Sequence, residues 1–247
     1  MASNTFLNET KLGKRIYSVK SSAAITGLLL IVGLIAGVCS VVPVIDGADY
    51  LVKAHTNETQ VLTGALFQLL MVGSYVGVPI MMYPILSKHN KGLAMGSVAF
   101  GNISGVFIII GVIILLLLLE LSQSYATADP PDISYFQTLG EMLRAGRDLV
   151  NHVATTLVSV LAMLLFNCIF YRSKLVPRWL SLGGIIGSSL SIAASLLFMI
   201  RFIGIDATYM MLNLPIALQQ LLLAIWLIVK GFNGMVQLPE RKDTFLS

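Results

Sequence analysis

Residues 93–119, LAMGSVAFGNISGVFIIIGVIILLLLL, carry no charged side chain. As a helix rising 1.5 Å per residue, a stretch of this length reaches about 40 Å, more than the ~30 Å hydrocarbon core of a bilayer. An unbroken apolar segment of that length is a transmembrane helix rather than the core helix of a water-soluble domain. Five further runs have the same character, at 23–45, 61–86, 149–171, 179–200 and 208–231, and charge bounds each of them. The expected fold is therefore all-α: a polytopic bundle of six transmembrane helices, with both termini on one side because the number of crossings is even.

Composition agrees. Only 11% of the 247 residues are charged and 56% are hydrophobic, whereas soluble domains carry about 25% charge. The formal net charge of +4 is not spread evenly. Twelve of the 16 Lys and Arg fall on one side of the expected topology: Lys11, Lys14, Arg15, Lys20, Lys88, Lys91, Arg172, Lys174, Arg178, Lys230, Arg241 and Lys242. Lys53, Arg144, Arg147 and Arg201 fall on the other. Positive loops stay inside, so both termini are expected in the cytoplasm and the protein in a cytoplasmic membrane. The basic excess is accounted for by topology, and no nucleic-acid partner is expected. Membrane lipids are the expected surroundings, with a membrane-protein partner or a homodimer as the expected protein contact.

The organisation read from the chain is a basic segment at 1–22, the six-helix domain at 23–231 and a tail at 232–247. Short connections at 46–60, 87–92, 172–178 and 201–207 separate the spans. The segment 120–148 is longer. Asp129-Pro130-Pro131-Asp132 interrupts it, and Ser134 and Gln137 then have capping-box spacing. Ile133, Phe136, Leu139 and Leu143 recur at helical spacing, which predicts an amphipathic external helix at the headgroup surface that runs into the fourth span.

Glycines at i, i+4 recur in four spans: Gly33/Gly37, Gly73/Gly77, Gly101/Gly105 and Gly183/Gly187. Such pairs let helix backbones approach closely in lipid, and close packing inside one bundle is the expected use. Cys39 and Cys168 lie in separate spans and imply neither a disulfide framework nor a metal site.

Buried polar groups carry function in membrane proteins because hydrocarbon makes them costly. His152 lies near the start of the fourth span with Asp148 four residues earlier, a spacing that lets a carboxylate hold an imidazole. Arg201 ends the fifth span and Asp206 opens the sixth; the two could pair across the short loop, but an Arg snorkelling to the interface is the favoured reading. Gln68, Asn102, Asn167 and Gln220 are the amides from which a polar path through the bundle could be built. No paired His for haem, no metal-ligand spacing, no nucleophile elbow and no phosphate loop is present. Neither a metal nor a cofactor is expected.

The C-terminal half has a recognisable order. Cys168-Ile169-Phe170-Tyr171-Arg172-Ser173-Lys174-Leu175-Val176-Pro177-Arg178-Trp179-Leu180 is followed by Arg201-Phe202, then Leu214-Pro215 and Ala224-Ile225-Trp226-Leu227-Ile228-Val229-Lys230-Gly231. This order resembles the bacterial six-helix membrane family catalogued as domain of unknown function 4386. The resemblance covers most of the chain loosely and 148–231 best, and it implies no activity. It implies a polar His near the start of the fourth span, which His152 matches. It also implies a Glu where this chain has Gln220 and a His near Ala162, and both are absent here.

Three kinds of function follow, in order of expectation. The first is a non-catalytic accessory or partner-binding membrane subunit. The second is a small-molecule or ion transporter or channel with a polar path. The third is a lipid-modifying enzyme at the outer interface using His152 and Asp148. A cavity joining the four amides would favour the second, and a cleft joining His152, Asp148 and Arg201 the third.

Overall fold

A computed structural model of the protein describes residues 2–127 and 133–233, with side chains described from Val19 and from Ser134 onward in the two segments. The elements are α1 (Ala2–Cys39), α2 (Pro43–Asp46), α3 (Tyr50–Thr56), α4 (Glu58–Leu86), α5 (Lys91–Ala126), α6 (Ile133–Leu149), a π-helical segment (Val150–Thr155), α7 (Thr156–Ser173), α8 (Arg178–Met199) and α9 (Ala207–Val229). No strand occurs among the described residues. Hydrocarbon offers backbone groups no partner, so a spanning segment bonds within itself as a helix. Six of the helices are long and apolar enough to cross a membrane.

Local chemistry sets the ends. The Asn90 side chain accepts from Leu93 N at 3.0 Å and starts α5. The Asp206 carboxylate accepts from Thr208 N at 2.9 Å and Tyr209 N at 3.1 Å and starts α9. Gly231, with φ 71°, ends α9 in the left-handed conformation glycine adopts without a Cβ penalty.

The spans close a ring in chain order: α1 packs on α4, α4 on α5, α5 on α7, α7 on α8, α8 on α9, and α9 returns to α1. Small residues set the close approaches. A Cβ on Gly27 of α1 would stand 2.7 Å from the Ala224 carbonyl oxygen of α9, and one on Gly101 of α5 would stand 2.6 Å from Pro79 Cγ of α4. The buried face of α8 is Ser181, Gly184, Gly187, Ser188, Ser191, Ala194 and Ser195, which lets α7 and α9 approach it from either side. The i, i+4 glycines thus pack mostly within the bundle, as expected. Gly73 is the exception: it is exposed, and nothing lies within 4 Å of where its Cβ would be.

The core has two parts. One, on the side of the chain termini, gathers Met82, Leu86, Phe166, Phe170, Leu180, Leu223 and Leu227. The other, on the far side, gathers Ile45, Tyr50, Val61, Leu115 and Leu118.

α1 runs unbroken from Ala2 to Cys39, so the 1–22 segment shares one helix with the first span. Two sequence expectations need correction. The 46–60 connection holds α3, whose Tyr50, Leu51 and Ala54 are buried. The capping box does not form, since Ser134 already lies inside α6 and its carbonyl accepts from Thr138 Oγ1 at 2.9 Å. The Asp129–Asp132 break, most of the 232–247 tail, and the side chains of Lys11, Lys14 and Arg15 lie outside the described residues.

α6 is amphipathic as predicted and runs into α7, but its apolar side is covered by protein rather than lipid. Phe136, Leu139 and Leu143 pack on the far-side core. Two arginines fasten it. Arg144 donates to the Asp46 carbonyl at 2.8 Å and stacks 4.6 Å from the Tyr50 ring centroid. Arg147, almost wholly buried, donates to Asp46 Oδ1 at 3.1 Å. Burial pushes the Tyr50 hydroxyl above its usual pKa, Arg144 opposes this, and Glu141 adds to it.

Candidate functional site

The paired groups expected at the outer ends are separated. The π-helical segment Val150–Thr155 begins two residues after Asp148 and contains His152. Its wider turn breaks the i, i+4 register, so the two side chains do not meet. Asp148 lies 3.9 Å from Arg147 instead. The His152 ring turns toward α9, where Nδ1 stands 3.1 Å from the Tyr209 hydroxyl. The rings of Tyr209 and Phe198 pack edge-on against it at centroid distances of 5.2 and 5.8 Å. Thr156, Ser195 and Asn213 flank the Tyr209 hydroxyl. Tyr209, which was not among the candidate residues read from the sequence, is therefore the centre of this cluster.

Arg201 and Asp206 do not pair. Asp206 is the α9 cap, and Arg201 is exposed, taking a left-handed φ of 59° where the chain leaves α8. Among the described residues no hydrogen bond or ion pair joins Arg201 to His152 or Asp148. The Tyr209 hydroxyl meets His152 Nδ1 at 3.1 Å and donates weakly to the His152 carbonyl at 3.5 Å, so Tyr209→Phe should cost about 1 kcal/mol. At this chain length that is a fall of about 2–4 °C in the melting temperature in detergent. An unchanged melting temperature would show that the His152–Tyr209 contact contributes nothing to the fold.

The four amides also go to different places. Asn167 is fully buried between α7, α8 and α9, where it donates to the Met163 carbonyl at 2.9 Å and accepts from Gln219 Nε2 at 3.2 Å. It lies directly against Gly184 of α8. Gln68 is buried with its Oε1 unpaired. Asn102 is exposed on the outward side of α5, away from the ring interior. Gln220 alone faces a cavity, its Nε2 donating to Met163 Sδ. The amides therefore do not line one path.

That cavity is the feature the sequence did not disclose. It has a volume of about 360 Å³ and lies inside the ring, walled by α1, α4, α5, α7 and α9. Gly33 and Gly37 of α1 and Gly101 of α5 form part of the wall, and Gly37 makes room, since a Cβ there would meet only Met71 Cε at 3.8 Å. Leu30, Val78, Met163 and Phe166 make most of it apolar, and no Lys, Arg, His, Asp or Glu lines it. Val38 and Val41 also line it while remaining 77% and 59% exposed, so it reaches the protein surface past the end of α1 on the far side.

A few polar groups interrupt the wall: Ser74, Tyr75, Ser159 and Gln220. The Ser74 hydroxyl is buried without a hydrogen-bond partner. Ser159 donates to the Thr156 carbonyl of its own helix at 3.0 Å. Ala162 and Gln220, the two positions where this chain departs from the pattern its resemblance implies, both line this cavity.

Among the described residues, no group of three or more His, Cys, Asp and Glu side chains is placed to hold a metal ion. A family profile described as "Domain of unknown function (DUF4386)" matches residues 25–231. No curated protein and no solved structure matches the chain.

Proposed function

Since the chain belongs to the DUF4386 family, whose description assigns no activity, we propose on the strength of the cavity that it is a non-catalytic membrane module holding one lipid-like molecule inside its ring. The observation that carries this reading is a cavity of about 360 Å³ whose wall is mostly apolar, uncharged and open at the protein surface beside the end of α1. Small-molecule sites have this size and this character, with a few polar groups to orient the ligand. The unpaired Ser74 hydroxyl is one such group, because leaving it unbonded in an apolar wall is unfavourable. The ligand class is thus an elongated apolar molecule with one small uncharged hydrogen-bonding group, such as an ester or an alcohol. A carboxylate or ammonium would enter without a counter-charge, at a large desolvation cost.

Entry from the bilayer past Val38 and Val41 suits a ligand that partitions into membranes. The distribution of Lys and Arg supports an orientation with the termini on the cytoplasmic side, so that the cavity opens toward the outer leaflet.

Gly37 lines the cavity, and a Cβ there would meet only Met71 Cε at 3.8 Å. Gly37→Leu therefore fills the cavity without forcing helices apart. Solvent extraction of the purified wild-type protein should yield one lipid species enriched over the bulk membrane, and Gly37→Leu should lose that enrichment at least tenfold. Leu218→Ala, on the exposed side of α9, should retain it. Extracts of wild-type protein that match the bulk membrane would overturn the reading.

A further inference from the structure

We propose that a second copy of this chain docks along the outward face of α5, with the Asn102 side chains of the two copies hydrogen-bonded to each other. Asn102 follows the charged Lys91 by eleven residues, which at 1.5 Å per residue places it about 16 Å along α5. That depth is well inside the hydrocarbon. Its side chain is exposed there and makes no hydrogen bond among the described residues. A carboxamide facing acyl chains forgoes both its donors and its acceptor, which is costly where no water can substitute.

The surrounding face is shaped for a helix. Met95, Ala99, Asn102, Val106, Ile109 and Ile113 are all exposed, and their spacing alternates between three and four residues. This is the seam spacing along which helices interlock. Any outward helical face approximates it, and two features set this one apart. The polar residue stands within the seam. Beside it on α4, the exposed Gly73 has no side chain to keep a neighbour away, and nothing stands within 4 Å of its Cβ position. Val72 and Val76, on either side of Gly73, contact Gly105 of α5, which sets Gly73 level with the middle of the seam. A small residue at that point allows close approach in lipid.

The occupant follows from symmetry. No charge interrupts α5 between Lys91 and Glu120, so the partner surface must itself be transmembrane. Copies inserted with the same orientation are related by a two-fold axis along the membrane normal, which brings equivalent residues to equal depth. An amide carries both donor and acceptor, so Asn102 complements itself under that operation. The dimer face is separate from the cavity, since Asn102 and Gly73 do not line it.

The test uses the full chain with Cys39→Ser and Cys168→Ser, which removes both native thiols. Val106→Cys in that background should form a disulfide-linked dimer when membranes are treated with copper phenanthroline, the oxidant taking up the two thiol hydrogens. Ile186→Cys, exposed on α8, should stay monomeric under the same treatment. In dilute liposomes, subunit counting by single-molecule photobleaching should show that Asn102→Leu weakens the dimer about tenfold and that Asn102→Gln restores it. Removing a lipid-facing amide does not threaten the fold, so loss of dimer reads on the interface. Monomeric wild-type protein, equal cross-linking at 106 and 186, an affinity unchanged by Asn102→Leu, or cross-linking of Val106→Cys only to a different protein would each overturn the proposal.

Discussion

Gly187→Leu is expected to abolish recovery of folded, monodisperse protein. A Cβ at this position would stand 2.8 Å from Ile216 N, 2.9 Å from Ile216 Cα and 3.1 Å from Pro215 C. All three are backbone atoms of α9, so no rotamer change relieves the collision and the two helices must separate. Separation also removes the Ser191–Asn213 hydrogen bond and pulls Gln219 away from Asn167 on α7. Overpacking a core commonly costs about 1–3 kcal/mol. A clash against backbone at a ring contact belongs in the rare class of about 4 kcal/mol or more. That approaches the total stability of many domains, about 5–15 kcal/mol. Ser189→Leu, exposed on the same helix with its hydroxyl donating only to its own Ile185 carbonyl, should behave as wild type. Size-exclusion profiles and melting curves of the two variants make the comparison. A well-folded Gly187→Leu protein would show that α8 and α9 do not pack as described.

Gly140→Leu should have the second-largest effect, and a local one. Gly140 lies directly against the Tyr50 hydroxyl, and an added Cβ would stand 2.9 Å from Tyr50 Cζ. A leucine there displaces the ring on which Arg144 stacks and lifts α6 off α3. The spans are packed through other contacts, so the ring should persist while the far-side cap opens. Hydrogen exchange should rise at least tenfold in Tyr50–Thr56 and Ile133–Leu149 and stay near wild type in α8 and α9. Uniform acceleration throughout the chain would contradict this, because it would make the cap part of the same cooperative unit as the ring.

Much of the fold was legible in the chain because bilayer thickness is a severe filter on sequence. An uncharged run such as 93–119 has few structural solutions, and the glycine spacing in α1, α5 and α8 named the faces that pack. The cap was only half legible. The helical spacing of Phe136, Leu139 and Leu143 gave α6 its apolar side, but nothing local showed that α3 would be there to cover it.

The site was less legible, for identifiable reasons. His152 and Asp148 have the right spacing for an α-helix, and the π-helical segment, which has no sharp sequence signal, turns His152 to Tyr209 instead. Asn102 and Asn167 look alike in sequence, and only helix rotation decides that one faces outward while the other meets Gln219. The cavity owes part of its room to the side chain missing at Gly37, whereas Gly33 and Gly101 in its wall close contacts on Ser74 and Pro79. In sequence Gly37 is indistinguishable from Gly187, which closes a contact on α9.

The most direct measurement on the cavity is native mass spectrometry of the wild-type protein released from its own membrane without prior delipidation. The account predicts one discrete small adduct per protomer, retained at energies that strip bulk lipid and absent from Gly37→Leu. Wild-type protein appearing only at its bare mass, or an adduct held equally by Gly37→Leu, would contradict it.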